Sequence, residues 1–475
     1  MSDAVVTVVD QVVHVSISGS ELLTPLVSAA AASAAAAGEA ETGAETARDA
    51  AEGFRDEAED RTAAVLAILA RADLYGITET TNAVAFMAGG VEVLPLSSYF
   101  RSGGSVSALL SGLSGISITR ASVGYARTAA GTYTSFASGA ARITDRGLMV
   151  EPAATNLFPR FAPTAAQLST GANAADTTAP SSPPIAGLNW LTLTNTSGTA
   201  NALQPVTLAV STTYTMSVLV ETPDGSQPVA GPLNGTGDFS FVLSNVTQAS
   251  GTPRYERLSG NVWRVSLTVT TPGTLSSTSN GIVRFSAQNN RICKFAGFQI
   301  ETGSRATSPI VTTGATATRA ADVIQLPGLS IGQEVTVLAD VALTGGDSSI
   351  LSGSRFLFDL DDGGTSNRIY ANNVSGGFGF ATVVSSSTTG SVEVAGTAAV
   401  DATVKLAYRS KVDDFRMARG GTLSTVDTSG AVPSSFSRLT IGGISGGTLQ
   451  LSGFIRRLVV IPAARDDAEL QALTA

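Results

Sequence analysis

A repeat of small residues between Leu26 and Tyr75 constrains this 475-residue chain more than any other feature of its sequence. A repeat of 3.5 residues sustained over about seven heptads is typical of a left-handed coiled coil. Because one helix cannot bury such a seam alone, we expect parallel copies of the chain to wind together into a fibre. The seam residues, reached by alternate steps of four and three, are Leu26, Ala30, Ser33, Ala37, Ala40, Ala44, Ala47, Ala51, Phe54, Ala58, Arg61, Val65, Ile68, Ala72 and Tyr75.

Alanine makes this seam weak as well as regular. An Ala in place of a Leu removes three buried carbons, which is worth about 2 kcal/mol per site. In compensation, Ala has the highest helix propensity and lets the helices approach closely. We therefore expect a slender stalk over 25–75, to which Phe54, Val65 and Ile68 contribute the larger contacts.

The composition of the rest favours a mostly β protein. Charged residues make up 14% of the chain and aromatic residues 6%, while 49 glycines interrupt a sequence rich in small and β-branched residues. Such a composition favours many short strands over an α/β layout. The net charge of −9 comes without a basic stripe, which argues against nucleic acid as a partner.

The scarcity of cysteine and histidine and the absence of a long apolar stretch argue against several kinds of site and against a membrane location. Cys293 is the single cysteine, so disulfides and a cysteine-based zinc site are excluded. His14 is the single histidine and lies in the N-terminal segment, which argues against a Ser-His-Asp arrangement in the outer domains. The segment 1–10 has no basic region, and the longest apolar stretch, 29–37, is too short to span a bilayer. We expect synthesis in a cytoplasm, no secretory signal and no membrane insertion.

Alternating apolar residues predict strands along most of the chain. The Val-rich residues 1–24 are predicted to form a strand pair, and 76–150 a β-rich connector. Antiparallel β-sandwiches, or jelly rolls, are predicted over 151–318 and 319–475. The clearest alternating sets are Tyr214, Met216, Val218 and Val220, then Trp263, Val265, Leu267 and Val269, and finally Val335, Val337, Ala339 and Val341.

The last residues change to a helical pattern. Asp466 and Glu469 have the spacing of a capping box, and Leu470 and Leu473 lie on one face of the predicted helix.

Three stretches carry motifs of known proteins. The first contains ITRAS at 118–122 and RGLMVEPAATNL at 146–157. The second contains FQIETG at 298–303, ATSPI at 306–310 and TRAAD at 318–322. The third contains GFIRR at 453–457 and DAELQAL at 467–473. In this order they resemble tailed-bacteriophage tail fibre proteins with carbohydrate-binding-module-like and concanavalin A-like (laminin-G-type) sandwiches, although Pro309 replaces a tyrosine of their pattern.

The resemblance implies a homotrimeric fibre in the tail of a virion. Its N-terminus would bind other tail or baseplate proteins, and its sandwiches would contact a glycan or protein receptor on the host surface. Three weak sites on one stalk would gain avidity through their effective concentration. A head or collar fibre of the same architecture is the alternative location.

Four aromatic residues are candidates for receptor or glycan binding, because an aromatic face suits the apolar side of a pyranose. They are Trp190, Trp263, Tyr370 and Tyr408. Trp263 is in phase with Val265 and Leu267, which equally suits a core position.

Asp359, Asp361 and Asp362 form the densest acidic cluster, directly before two glycines. Calcium takes six to eight oxygen ligands, often from such loops, so these carboxylates are the candidate metal ligands. Acidic turns at strand ends also occur without metal, and no other cofactor is expected.

The alternative function is a glycan-cleaving depolymerase. Glycosidases use two carboxylates that face each other across a cleft. Glu256, Glu301, Asp359 and Glu393 are available, but no spacing singles out a pair, and no repeat of 20–50 residues indicates a β-helix. We therefore expect no catalytic site.

Overall fold

The computed structural model describes residues 84–87 and 117–475, apart from 169–173, 195–198, 232–236, 244–245, 248–250, 276–278, 286–290, 345–354, 375–376, 395–401 and 462. The predicted N-terminal strands, the stalk over 25–75 and all of its seam residues lie outside these described residues.

The described chain is mostly β, with several antiparallel sheets and one α-helix, as its composition predicts. The first strands are β1 (Val84–Met87), β2 (Ser117–Thr119), β3 (Gly124–Arg127), β4 (Tyr133–Phe136), β5 (Arg142–Thr144), β6 (Gly147–Val150) and β7 (Ala154–Asn156). A 3-10 turn at Ala165–Gln167 precedes β8 (Ala174–Thr177), β9 (Trp190–Leu193), β10 (Thr199–Pro205), β11 (Thr213–Glu221), β12 (Ser240–Leu243), β13 (Val246–Thr247), β14 (Arg254–Arg257), β15 (Val262–Thr270), β16 (Ser279–Phe285), β17 (Lys294–Thr302) and β18 (Ala317–Arg319). The last strands are β19 (Val323–Ile331), β20 (Val335–Leu343), β21 (Phe356–Asp361), β22 (Arg368–Val374), β23 (Gly377–Val384), β24 (Ser387–Val394), β25 (Thr403–Lys411), β26 (Asp414–Arg419), β27 (Thr422–Leu423), β28 (Phe436–Ile441) and β29 (Gly453–Ile461), followed by helix α1 (Asp467–Thr474).

Strands β8 to β17 form the first sandwich. Six strands in the order β14-β15-β11-β17-β9-β8 pack against four in the order β10-β16-β12-β13. The apolar alternation seen in the sequence places Met216 and Val218 of β11 beside Val265 and Leu267 of β15 in the shared core. The rings of Phe239 and of its neighbours on both sheets fill the centre of that core.

The second sandwich is built on β19 to β29. One of its sheets has the order β2-β19-β28-β21-β22-β23-β24, and the other contains β27-β26-β25-β20-β29-β6-β5. Phe380 of the first sheet stacks on Tyr408 of the second, with ring centroids 4.8 Å apart. This contact closes the core between the two sheets.

Residues expected to form a separate connector contribute strands to these sheets. Ile118 of β2 pairs with Ile324 of β19, and Met149 of β6 pairs with Phe454 of β29. Strands β2, β5 and β6 of the predicted connector thus belong to the sheets of the second sandwich, whereas β3 and β4 pair with each other.

The terminal helix is confirmed. Asp466 is its N-cap and forms the capping box with Glu469, and Leu470 and Leu473 are buried. No helix among the described residues is both long enough and apolar enough to cross a membrane.

Candidate functional site

The six-stranded sheet of the first sandwich has a polar face opposite its core. Side chains on a strand alternate between faces, so the residues between the core positions of β11, β15 and β17 all point the other way. The pairing register brings Ser217 beside both Ser266 and Gln299, and Thr215 beside both Thr268 and Glu301. This face meets the strands and loops that join the two sandwiches.

Residues of the sequence motifs form, together with Arg142, a buried ion network in this region. Asp322 accepts hydrogen bonds from Arg120, at 3.0 Å, and from Arg142. Glu151 accepts from Arg142 at 2.8 Å and from Arg319 at 2.6 Å. All five side chains are at most 3% exposed. We call these five residues the motif network.

Glu151 stays ionised inside the protein. Burial alone would raise its pKa, but Arg319 and Arg142, together with the Ser308 hydroxyl, hold the pKa at about 2. A buried charge is tolerated only when it is paired and fully hydrogen-bonded. Glu151 meets this requirement, because the Ser308 amide and hydroxyl also donate to it, at 2.9 and 2.6 Å.

The other polar motif residues are also structural. The Asn156 amide donates to the carbonyls of Phe298 and Ile310 and accepts from the amide of Ile300. Glu301 accepts from the Thr307 amide at 2.9 Å. These bonds fix the loop that follows β17 against the sheet.

A cavity of about 380 Å³ opens next to this loop. Its volume lies toward the lower end of the range typical of ligand pockets, about 300–1,000 Å³. Six arginines and two glutamates are among the described residues that line it, together with aromatic and hydroxyl side chains. The charged lining residues are Arg127, Arg146, Arg254, Arg257, Arg264, Arg305, Glu151 and Glu256.

Most of these groups have protein partners. Arg127 forms an ion pair with Glu256, and Arg264 donates to the Ser217 hydroxyl at 3.1 Å. The Arg146 guanidinium lies 4.4 Å from the centre of the Phe454 ring. Glu151 is held by the motif network, so both lining glutamates are already neutralised by arginines.

Arg305 lines the cavity from the loop that follows β17. Its Nη1 is buried and has no hydrogen-bond partner among the described residues. Burial, reinforced by the positive charge of Arg355, lowers the pKa of Arg305 to about 10. A negatively charged acceptor at this point would relieve both penalties.

Aromatic and hydroxyl groups complete the cavity wall. Tyr133 and Tyr255 contribute rings, and the Tyr255 hydroxyl accepts from the amide of Ala230. Ser266 and Ser304 add hydroxyl groups on the same wall. The cavity therefore combines positive charge, apolar ring faces and small polar groups.

The aromatic residues singled out from the sequence lie elsewhere, and none of the four is among the described residues that line the cavity. Trp190 and Tyr408 are 0% exposed, so their rings are core residues and offer no face to a sugar. Trp263 is half-buried and donates to the Gly225 carbonyl at 3.3 Å. Tyr370 is half-buried, and the Arg368 guanidinium lies 4.8 Å from its ring centre.

The aspartate cluster is balanced by arginines. Asp359 and Asp361 share one face of β21, as the alternation predicts, but both are fully buried. Asp359 lies 3.4 Å from Arg368, and Asp361 lies 2.9 Å from Arg438. Asp362 accepts from the Asn367 side chain at 2.8 Å. Among the described residues, no group of three or more His, Cys, Asp or Glu side chains could hold a metal ion.

The cavity arginines were missed by the sequence reasoning, which followed the apolar members of each strand. The alternate positions of β15 do carry a signal, because they are occupied by Arg264, Ser266 and Thr268. Polar residues at successive alternate positions of a strand with neighbours on both sides indicate that this face of the sheet is also covered by other parts of the protein. Arg305 carries no such signal, since it lies in a loop.

No protein-family model matches this chain, and no curated protein sequence matches it. Several solved structures align with parts of this chain. A heptameric SAP-like pentraxin from Limulus polyphemus aligns with a TM-score of 0.27 and 11% identity, over 32% of this chain and 74% of that chain. Domain 4 of AbnA, an extracellular arabinanase from Geobacillus stearothermophilus, in complex with arabinotriose, aligns with a TM-score of 0.27 and 15% identity, over 36% of this chain and 82% of that chain.

Domains LG4–5 of the mouse laminin alpha1 chain align with a TM-score of 0.22 and 12% identity, over 56% of this chain and 88% of that chain. At these TM-scores, all below 0.5, the likeness carries no conclusion about the fold or the function of this chain.

Proposed function

We propose that this chain is the subunit of a trimeric bacteriophage tail fibre that attaches to a glycan on the host surface. The observation that carries the proposal is the arginine-lined cavity, which combines charge, ring faces and hydroxyl groups in a recess of ligand size. The order of the sequence motifs supports the fibre assignment. The motif network supports it as well, because it ties motif residues from 120 to 322 into one buried unit.

Binding, rather than cleavage, is favoured by the state of Glu151 and Glu256, the two carboxylates among the described residues that line the cavity. A glycosidase needs one carboxyl group with a raised pKa to act as the acid, facing a second carboxylate. The pKa of Glu151 is held at about 2, and Glu256 is ion-paired with Arg127. A weak site of this kind would act through avidity, with three copies on one stalk.

The proposal is tested with the full-length chain and the surface polysaccharide of a host bacterium. We expect a mass in solution of three chains, saturable binding to the polysaccharide and no new reducing ends after incubation. Labelled chain should be found in the tail of assembled particles. A monomer that binds no surface polysaccharide would overturn the proposal, and release of reducing ends would favour the depolymerase.

A further inference from the structure

We infer that the cavity binds an acidic saccharide, whose carboxylate or phosphate group is received by Arg305. This inference rests on the proposed glycan-binding function and adds the chemical class of the glycan. Three observations support the inference: the charge balance of the cavity, the buried Nη1 of Arg305 and the types of residue that line the cavity around Arg305.

The charge balance of the cavity calls for an anion. Six arginines and two glutamates line it among the described residues, and both glutamates are already paired with arginines. Positive charge therefore remains in excess inside a recess, where screening by water is reduced. The whole chain carries a net charge of −9, so this local excess runs against the overall charge.

Among the described residues, the buried Nη1 of Arg305 has no hydrogen-bond partner. A buried donor without an acceptor costs free energy, and such groups in native proteins are usually satisfied by a ligand, an ion or water. The planar guanidinium binds carboxylate and phosphate through paired hydrogen bonds. The loop that carries Arg305 is fixed by the bonds from Thr307 to Glu301 and from Ser308 to Glu151, so the guanidinium is held on a rigid support.

The rest of the wall suits a sugar ring. Tyr133, Tyr255, Ser266 and Ser304 line the cavity, and aromatic and hydroxyl side chains are the groups that contact sugar rings and sugar hydroxyl groups. A volume of about 380 Å³ suits a short saccharide rather than a polymer lying along a surface. A long polyanion such as nucleic acid would be repelled by the net charge of −9 outside the recess.

The first experiment compares the native host polysaccharide with the same material after chemical reduction of its carboxyl groups. The full-length chain should bind the native form at least about tenfold more tightly, and added salt should weaken that binding. Two further probes, D-glucuronic acid and D-glucose 6-phosphate, separate the carboxylate from the phosphate source, with D-glucose as the neutral reference. Equal binding of the native and reduced polysaccharides, together with no preference for D-glucose 6-phosphate over D-glucose, would overturn the inference while leaving the proposed function intact. Binding of neither form would overturn both.

The second experiment uses Arg305→Gln, with Arg160→Gln as the matched control. Arg160 lies outside the described cavity lining, and its side chain donates to the Thr313 carbonyl at 3.4 Å. Arg305→Gln should abolish the preference for the acidic saccharide, whereas Arg160→Gln should keep it. An unchanged preference in Arg305→Gln would overturn the assignment of Arg305. Tighter binding of a short oligonucleotide than of the saccharides would overturn the saccharide class. The comparisons of native with reduced polysaccharide and of D-glucose 6-phosphate with D-glucose need no variant, so they decide the ligand class even if Arg305→Gln fails to fold.

Discussion

Glu151 accepts a hydrogen bond of 2.6 Å from Arg319, a residue 168 positions further along the chain. This bond joins the beginning and the end of the segment that contains the first sandwich. Arg142 and Arg120 extend the connection through Asp322, just before β19 of the second sandwich. The residues of the motif network thus form a buried clamp, that is, a set of ion pairs that holds distant parts of the chain together.

Removing the charge of Glu151 should destabilise the fold. We expect Glu151→Gln to lower the free energy of unfolding by about 3 kcal/mol, because it leaves Arg319 and Arg142 buried without a full counter-charge. Denaturant unfolding of the full-length chain measures this change. Glu393→Gln, at an exposed carboxylate, is the control and should stay within about 0.5 kcal/mol of the parent. A loss below about 1 kcal/mol in Glu151→Gln would contradict a clamp role.

The same carboxylate predicts a dependence of stability on acid. The folded-state pKa of Glu151 is about 2, below its ordinary value of 4.5. A lowered pKa means that the stabilisation is complete above about pH 4.5 and is lost as the pH falls toward 2. We expect the parent to lose roughly 3 kcal/mol more than Glu151→Gln across this window. Parallel loss in both proteins, measured by denaturant titration at each pH, would show that Glu151 does not titrate as the network requires.

Local signals in the sequence predicted much of the fold. The alternation on β11 and β15 predicted their core faces, and the spacing of Asp466 and Glu469 predicted the start of α1. The pairing of β2 with β19 could not be predicted in this way. The alternation of residues along a three-residue strand does not predict which strand it pairs with, about 200 residues away in the sequence. That pairing depends on how the whole sheet assembles.

The candidate site was less accessible to sequence reasoning. Aromatic residue type alone does not distinguish a ring in a core from a ring on a wall, and Trp190 proved to be packed among Phe161, Leu219 and Ala296. The cavity gathers Arg146, Arg254 and Arg305 from separate segments, so no local spacing reveals it. The acidic cluster was correctly placed on one strand face, but its charge balance depends on Arg438, far along the chain.

Asp359 should make the fold more stable at low pH than at high pH. Burial raises its pKa to about 7 from an ordinary value of 3.8, and Arg368 offsets this only in part. A raised carboxyl pKa means that stability falls as the pH rises from about 4 to 7. Asp359→Asn should remove this slope and leave the melting midpoint at pH 8 equal or higher. Asp362→Asn, at an exposed position, should keep the parental slope. A midpoint several degrees lower for Asp359→Asn at pH 8 would instead show that the ion pair with Arg368 dominates.

Removal of calcium tests whether Asp359, Asp361 and Asp362 bind a metal ion. Because Arg368 and Arg438 already form ion pairs with Asp359 and Asp361, we expect a chelator to leave the melting midpoint of the full-length chain unchanged. A midpoint that falls with chelator and recovers with added calcium would restore the aspartates as metal ligands.

The cavity wall, rather than the aromatic residues first suggested by the sequence, should contribute to glycan binding. Tyr133 lines the cavity, whereas Tyr370 lies outside its described lining and contacts Phe356 at 4.7 Å between ring centres. Loss of a stacking ring is worth about 1 kcal/mol, so Tyr133→Ala should weaken polysaccharide binding roughly fivefold. Tyr370→Ala is the matched control and should bind as the parent does. Titration calorimetry on the full-length proteins, after their melting midpoints are compared, gives both values. If Tyr370→Ala lost affinity and Tyr133→Ala kept it, the binding surface would lie on β22 and the cavity would not be the glycan site.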